Sequence, residues 1–535
     1  MPKRPQTQKQ RYCNCWFVRL SVALPCVSQL EPVSFGQQQR WRAQHKPSRF
    51  RSWEGACRCP VDFRSRYPHG DNPGLTILSS FGIKLVTSAG LEKQTDTLTD
   101  GISRGIRRQI AGVGVAQLAQ TYGTPLYVYD ALMIRRRCRD LAAWDTIRFA
   151  QKACSNLAVL NLIRSEGVMV DAVSTGEIHR AEKAGYPTHA VLMQSSDGLP
   201  PVHPIVYTAD IFDRDSLDVV AKLGLPVNCG SADMLEQLAA RVPGAHVTLR
   251  VNPGFGHGHS QKTNTGGEGS KHGIWHEEIP DVLRRAEWAG LCVSGLHMHI
   301  GSGADLVHLA EVAEALERVA HEIGRSLTTI SAGGGLPVPY KPNEVHADLG
   351  SYFSLWDATR KRLEERFGHR IRLEIEPGRY LTAEAGSVIT EVRAIKRQGT
   401  KKYLLVDAGF NTLARPVLYG SWHPMSLCPE KESQNQTARG PAEEEIVEDV
   451  VVGGPLCESG DIFTQQEGGF VETRALPATS VGDYLVIETC GAYGFVMASN
   501  YNSKPLPAEV LIDDGQARLV RTRQTPDDLV RGETV

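Results

Sequence analysis

Lys152 lies in the run Arg148-Phe149-Ala150-Gln151-Lys152-Ala153-Cys154, at the end of an apolar strand-like stretch. A lysine at the end of a strand, partly desolvated, can condense with an aldehyde cofactor; the same residue is as readily the partner of a nearby carboxylate. Further on, Gly295-Leu296-His297-Met298-His299-Ile300-Gly301-Ser302-Gly303 sets two imidazoles two residues apart, on one face of a strand and ahead of a Gly-Ser-Gly turn. Such a pair is also half of a metal site, and Gly256-His257-Gly258-His259-Ser260 offers a second pair. Metal catalysis usually takes about three protein ligands, and no third stands out. In Ser331-Ala332-Gly333-Gly334-Gly335-Leu336 the glycines let backbone N–H groups crowd around a phosphate, or simply make a tight turn. In Glu374-Ile375-Glu376-Pro377-Gly378-Arg379 the carboxylate of Glu376 can keep a pyridine nitrogen protonated, which makes the ring an electron sink. The plainer alternative is a rim ion pair between Glu376 and Arg379.

These segments recur at the ends of a regular alternation. Strand-like runs at Ile147–Gln151, Met169–Ser174, Ile205–Ala209, Val227–Gly230, Val247–Asn252, Gly295–Ile300, Thr329–Gly333 and Leu373–Glu376 are separated by amphipathic stretches such as Leu157–Glu166, Ser216–Leu223 and Ser351–Phe367. Eight strand-helix units predict a parallel (β/α)8 barrel over 130–382, with its chemistry at the C-terminal ends of the strands. After Gly378 the alternation gives way to β-branched runs, Gly386–Arg393, Tyr403–Asp407, Val447–Val452 and Tyr484–Glu488, which predict a separate β domain over 383–535. Residues 96–129 are expected to contribute a strand to that domain. Pro429–Glu445, rich in Glu, Ser, Gln and Pro, reads as a surface loop.

A length of 535 residues suggests two or three domains. With 41% hydrophobic and 22% charged residues and a net charge of −1, the chain can bury cores and gives no reason to expect nucleic acid or a membrane surface as partner. No run reaches the roughly 20 apolar residues that span a bilayer. Residues 1–95 read differently: Lys and Arg far outnumber Glu31, Glu54 and Asp62 up to Gly70, and no periodicity is sustained. This extension is either a targeting segment, as for a plastid, or sequence upstream of the true start. The pairs Cys13/Cys15 and Cys57/Cys59 in it are spaced too closely for the usual zinc site. The remaining cysteines are scattered singly, as in a reduced, cytoplasmic protein.

Together the motifs resemble the fold-type III pyridoxal-phosphate decarboxylases and, more closely, the bacterial diaminopimelate decarboxylases. The likeness runs from about Ala111 to Leu529. It is carried by Phe149-Ala150-Gln151-Lys152-Ala153-Cys154-Ser155-Asn156, Arg250-Val251-Asn252-Pro253-Gly254-Phe255-Gly256-His257-Gly258-His259-Ser260, Ser270-Lys271-His272-Gly273, Cys457-Glu458-Ser459-Gly460-Asp461 and Gly491-Ala492-Tyr493-Gly494. The resemblance implies an alanine-racemase-like barrel with a C-terminal β-sandwich or barrel-like domain, and pyridoxal 5'-phosphate as cofactor. Lys152 would then hold the cofactor and His299 stack on its ring. Glu376 would face the ring nitrogen, with Asp171 supporting the ring-side network. Ser302, Gly333, Gly334, Gly335, Gly378, Arg379 and Tyr493 would lie around phosphate or substrate. Cys457 would be the proton donor, supplied together with Glu458 by the second subunit of a homodimer with shared active sites.

The implied substrate, meso-diaminopimelate, carries an ammonium and a carboxylate at its distal end. Arg379 and Arg415 can grip the carboxylate bidentately, while Tyr419, Glu458 and Tyr493 complete the pocket. Buried groups left without that carboxylate discriminate against lysine by up to about 10⁴. Three alternatives stand beside this reading: an ornithine or arginine decarboxylase, a metal-dependent barrel hydrolase, and a non-catalytic carrier of the cofactor. Two departures from the family pattern are Cys154 where asparagine is common and extra chain between Tyr186 and Ile205, including the loop 195–204.

Overall fold

The computed structural model describes residues 102–103, 105–188, 199, 201–256, 262, 264–301, 306–430 and 447–535. The basic extension with its cysteine pairs, His257, His259, Ser302, half of the 195–204 loop and nearly all of the 429–445 loop lie outside the described residues.

Eight parallel strands form the barrel: Thr146–Ala150, Met169–Ala172, Ile205–Ala209, Val227–Cys229, His246–Asn252, Cys292–Met298, Thr329–Ser331 and Arg372–Ile375. Each pairs with the next in chain order, and the eighth returns to the first through Glu374↔Thr146 and Ile375↔Ile147, so the sheet closes on itself. The interstrand helices are held at their ends by local chemistry. Asn156, Ser174, Asp213 and Asp348 each accept a hydrogen bond from a first-turn N–H of the helix they precede, satisfying a donor that has no intrahelical partner. Gly368, left-handed at φ 79°, ends the long helix Leu349–Phe367. That helix buries Tyr352, Trp356 and Leu363 against the barrel wall, where Tyr352 and Trp144 pack with ring centroids 5.6 Å apart.

Six of the eight strands end one or two residues earlier than the hydrophobic pattern suggests, and in the eighth and the first the difference positions the site. The eighth stops at Ile375 because Pro377 has no N–H to continue a ladder. The Glu376 N–H instead donates to Gly333 O at 2.7 Å. The first stops at Ala150, whose N–H is capped by Pro377 O at 3.1 Å, and Gln151–Ala153 turn into a single 3₁₀ turn that carries Lys152 out of the strand.

The β domain is built around the 13-residue strand Gly386–Gln398. It pairs antiparallel with Tyr484–Ile487, with Lys401–Val406 and with Leu126–Asp130, the last coming from ahead of the barrel. Leu126–Asp130 also runs parallel to Ala508–Asp513. The chain therefore enters and leaves through one sheet, sealed by Leu126, Val128, Ile389, Val486, Val510 and Ile512. Among the described residues no helix is long and apolar enough to cross a membrane.

Candidate active site

A cavity of about 350 Å³ opens at the C-terminal ends of the barrel strands, where the β domain meets them. The 3₁₀ turn after the first strand presents Lys152 to it, the second strand Asp171 and the sixth His299; Gly334, Gly335 and Glu376 follow from the seventh and eighth. Gly378 and Arg379 line it beyond the eighth strand, and the β domain adds Arg415, Tyr419 and Tyr493. Cys457 and Glu458 are not among these: both are exposed, on a loop after Val447–Gly453.

The floor of the cavity is a buried polar network. Alternation along the eighth strand puts Glu374 and Glu376 on one face. Glu374 takes a bidentate grip from Arg148 at 2.8 and 3.1 Å, and Glu376, one layer nearer the mouth, lies 2.6 Å from His297 Nε2. Glu376 also accepts from Ser331 Oγ at 3.1 Å and from Asn228 Nδ2 at 3.4 Å. Burial opposes a charge on Glu376, but the attraction and hydrogen bond of His297, with Arg148 behind, outweigh it and hold the carboxyl well below its usual range. Asp171 responds in the opposite direction. Burial, then the neighbouring charge of Glu376, raise it to about 7, and its Oδ1 is buried with no hydrogen-bond partner among the described residues.

His297 was grouped by sequence with His299 because they share a face, but their partners differ. His297 is 1% exposed and spent on Glu376, whereas His299 reaches the cavity. Burial and the cations Arg250 and Lys152 push His299 far below the usual histidine range, so it presents a neutral ring. Among the described residues no three His, Cys, Asp or Glu side chains come together as a metal site. Nor do Glu376 and Arg379 form the rim ion pair, since Glu376 is committed to His297.

The glycine run packs against the ends of the flanking strands. A Cβ on Gly333 would stand 2.4 Å from Met298 O, and one on Gly335 2.6 Å from Gly301 O; both have left-handed backbones, at φ 62° and 102°. No other residue type fits there without moving those strands.

At the opposite wall Arg379 and Arg415, 6% and 5% exposed, have no ion-pair partner among the described residues. Both donate to one acceptor, the hydroxyl of Tyr340, from Nη1 at 2.8 and 2.9 Å. The Arg379 guanidinium also lies over the Tyr493 ring at 5.2 Å. Tyr493 itself is left-handed at φ 56° and tied to the turn that carries Lys152 by its N–H to Ala153 O at 2.8 Å. Sequence reasoning singled out neither Tyr340 nor His423, which accepts from Arg415. Both sit in irregular segments with no periodicity to announce them, and only their proximity to the arginines marks them.

Comparison with known proteins places these features in context. The family model described as "Pyridoxal-dependent decarboxylase, pyridoxal binding domain" matches residues 133–383. The diaminopimelate decarboxylase of Escherichia coli strain K12 is 52% identical over 417 residues, 77% of this chain and 94% of that protein. A crystal structure of diaminopimelate decarboxylase superposes with a TM-score of 0.71 at 51% identity, covering 78% of this chain and 95% of the other. That of the Helicobacter pylori diaminopimelate decarboxylase complexed with L-lysine superposes at 0.65 with 29% identity, covering 78% and 98%.

Proposed function

The chain belongs to the diaminopimelate decarboxylases, within the pyridoxal-dependent decarboxylase family, and from that premise we propose that it converts meso-2,6-diaminopimelate to L-lysine and carbon dioxide. The observation that carries this reading is one cavity holding an exposed lysine and an ionised floor carboxylate at one end and two unpaired arginines at the other.

The residues present fit pyridoxal 5'-phosphate. Three glycines leave room for a phosphate where any side chain would clash, and Asp171 Oδ1 is a buried acceptor awaiting a donor. When bound, this cofactor supplies the electron sink that takes up the electron pair left by departing carbon dioxide. Lys152 would hold it covalently, and His299, kept neutral, would offer a flat uncharged face to its ring. Glu376, kept ionised by His297, would stabilise a proton on the ring nitrogen. Gly333, Gly334, Gly335, Gly378 and Tyr493 would surround the phosphate end, and Arg379, Arg415 and Tyr419 would bind the substrate's distal carboxylate and ammonium. Burying two guanidiniums that have no ion-pair partner among the described residues costs free energy that an anionic ligand would offset, which favours a substrate with a second carboxylate over ornithine or arginine.

We further propose a homodimer in which Cys457 and Glu458 come from the second copy of the chain, Cys457 delivering the proton to the carbon that lost carbon dioxide. The exposure of this pair outside its own chain's cavity supports that arrangement. A cytoplasmic location accords with the free cysteines of the described residues. Carbon dioxide release from meso-diaminopimelate, compared with ornithine, arginine and lysine, tests the substrate. Turnover confined to diaminopimelate is expected, and turnover of ornithine or arginine without it would overturn the assignment.

A further inference from the structure

Two buried guanidiniums that repel each other need something to keep them side by side when the cavity holds no anion. Tyr340 supplies it. Its hydroxyl oxygen accepts from Arg379 Nη1 at 2.8 Å and from Arg415 Nη1 at 2.9 Å, and its ring lies beneath both cations, 5.6 and 4.8 Å from their centres. A phenol oxygen has two lone pairs and one proton. With both lone pairs engaged, the proton is directed away from both arginines, and Tyr340 lines the cavity.

Behind Arg415 stands His423, 1% exposed and edge-on to Tyr340 with ring centroids 5.3 Å apart. Its Nδ1 is 3.0 Å from Glu488 O and its Nε2 3.1 Å from Arg415 Nη1. A carbonyl can only accept, so the proton sits on Nδ1 and the Nε2 lone pair is left for the guanidinium. Burial and the charge of Arg415 keep the ring neutral. The same Arg415 nitrogen therefore meets both Tyr340 and His423, which fixes the plane of the guanidinium.

We propose that Tyr340 is a specificity-determining residue that donates its hydroxyl proton to the substrate's distal carboxylate, and that His423 is a positioning residue that sets Arg415 for the same carboxylate. This rests on the decarboxylase reading above. It adds a neutral donor between the two cations, so that the carboxylate meets three donors held in one arrangement before it arrives. A ligand without that carboxylate gains nothing from the arrangement.

The test uses holoenzyme and two ligands that differ only in this group: L-lysine, which retains the distal carboxylate as product, and 1,5-diaminopentane, which lacks it. Binding is read by calorimetry and turnover by carbon dioxide release. Tyr340→Phe is expected to weaken lysine binding and raise KM for meso-diaminopimelate by about tenfold to a hundredfold, the worth of a hydrogen bond to a charged group. Binding of 1,5-diaminopentane should change less than about twofold, and kcat should fall less than KM rises. His423→Gln, which can still present an acceptor to Arg415, should retain more lysine affinity than His423→Leu. Equal losses for the two ligands, or a lysine affinity unchanged in Tyr340→Phe, would overturn the proposal while leaving the decarboxylase reading intact. Failure of the unaltered enzyme to act on diaminopimelate would instead remove the reading on which it rests.

Discussion

The carboxylate of Glu376 lies 2.6 Å from Nε2 of His297 in the interior of the barrel, the two side chains belonging to residues only 5% and 1% exposed. This contact keeps a charge where burial alone would extinguish it, and it orients that charge toward the cavity floor. Removing one partner of a buried pair leaves the other uncompensated, so His297→Leu is expected to cost about 3–5 kcal/mol of stability in urea denaturation. Glu376→Gln removes the charge but keeps a hydrogen-bonding side chain of the same shape against His297, Ser331 and Asn228. Its stability should change far less, while decarboxylation falls by about a hundredfold or more, with the cofactor still attached to Lys152. A Glu376→Gln enzyme with full turnover would show that the floor charge is not used.

Asp171 gives a pH signature in protein stripped of cofactor. Its folded value is raised to about 7, against about 3.9 for an unfolded aspartate. Between those values the folded state binds the extra proton. The contribution to stability is therefore complete below about pH 4 and lost as pH rises through about 7. Asp171→Asn removes this dependence, so its urea midpoint should gain on that of the unaltered protein from about pH 5 to about pH 8. Parallel curves would mean that Asp171 is ionised throughout.

The eightfold alternation was legible because barrel strands are buried runs and barrel helices are amphipathic; both leave local patterns in the chain. Lys152, His299 and Glu376 could be read as strand-end residues for the same reason. The role of His297 could not: its face was legible, but its partner lies 79 residues away on another strand. Tyr340 and His423 were hidden more deeply, since their only signature is a shared neighbour, Arg415, brought to them by the packing of the β domain on the barrel mouth. The strand ends at Ala150 and Ile375 were misjudged by a residue because Pro377 interrupts the ladder on both sides.

Gly334 packs so that a Cβ would lie 2.7 Å from Glu376 O. Gly334→Val is expected to weaken pyridoxal-phosphate binding by at least tenfold, about 1.4 kcal/mol, measured by fluorescence titration of the cofactor-free protein. An unchanged affinity would place the phosphate elsewhere.

Arg415→Lys replaces a planar fork with a point charge that cannot meet Tyr340, His423 and a carboxylate together. The expected result is a KM for meso-diaminopimelate raised about tenfold or more, with a smaller effect on kcat. Equal effects on both would mean that Arg415 acts in the chemical step.

Sharing of sites between subunits predicts complementation. Lys152→Ala and Cys457→Ala homodimers should each be inactive, yet after mixing and subunit exchange about one quarter of full activity should return, since half the dimers are mixed and each carries one intact site. No recovery, with mixed dimers demonstrated by mass spectrometry, would place Cys457 in the same chain's site or outside catalysis.

The proposed chemistry starts from a cofactor held on Lys152, which reduction of the holoenzyme with borohydride followed by peptide mass spectrometry reads out. A pyridoxyl-phosphate adduct is expected on the peptide containing Lys152 and absent from Lys152→Ala; an adduct on a different lysine, or none at all, would overturn the assignment.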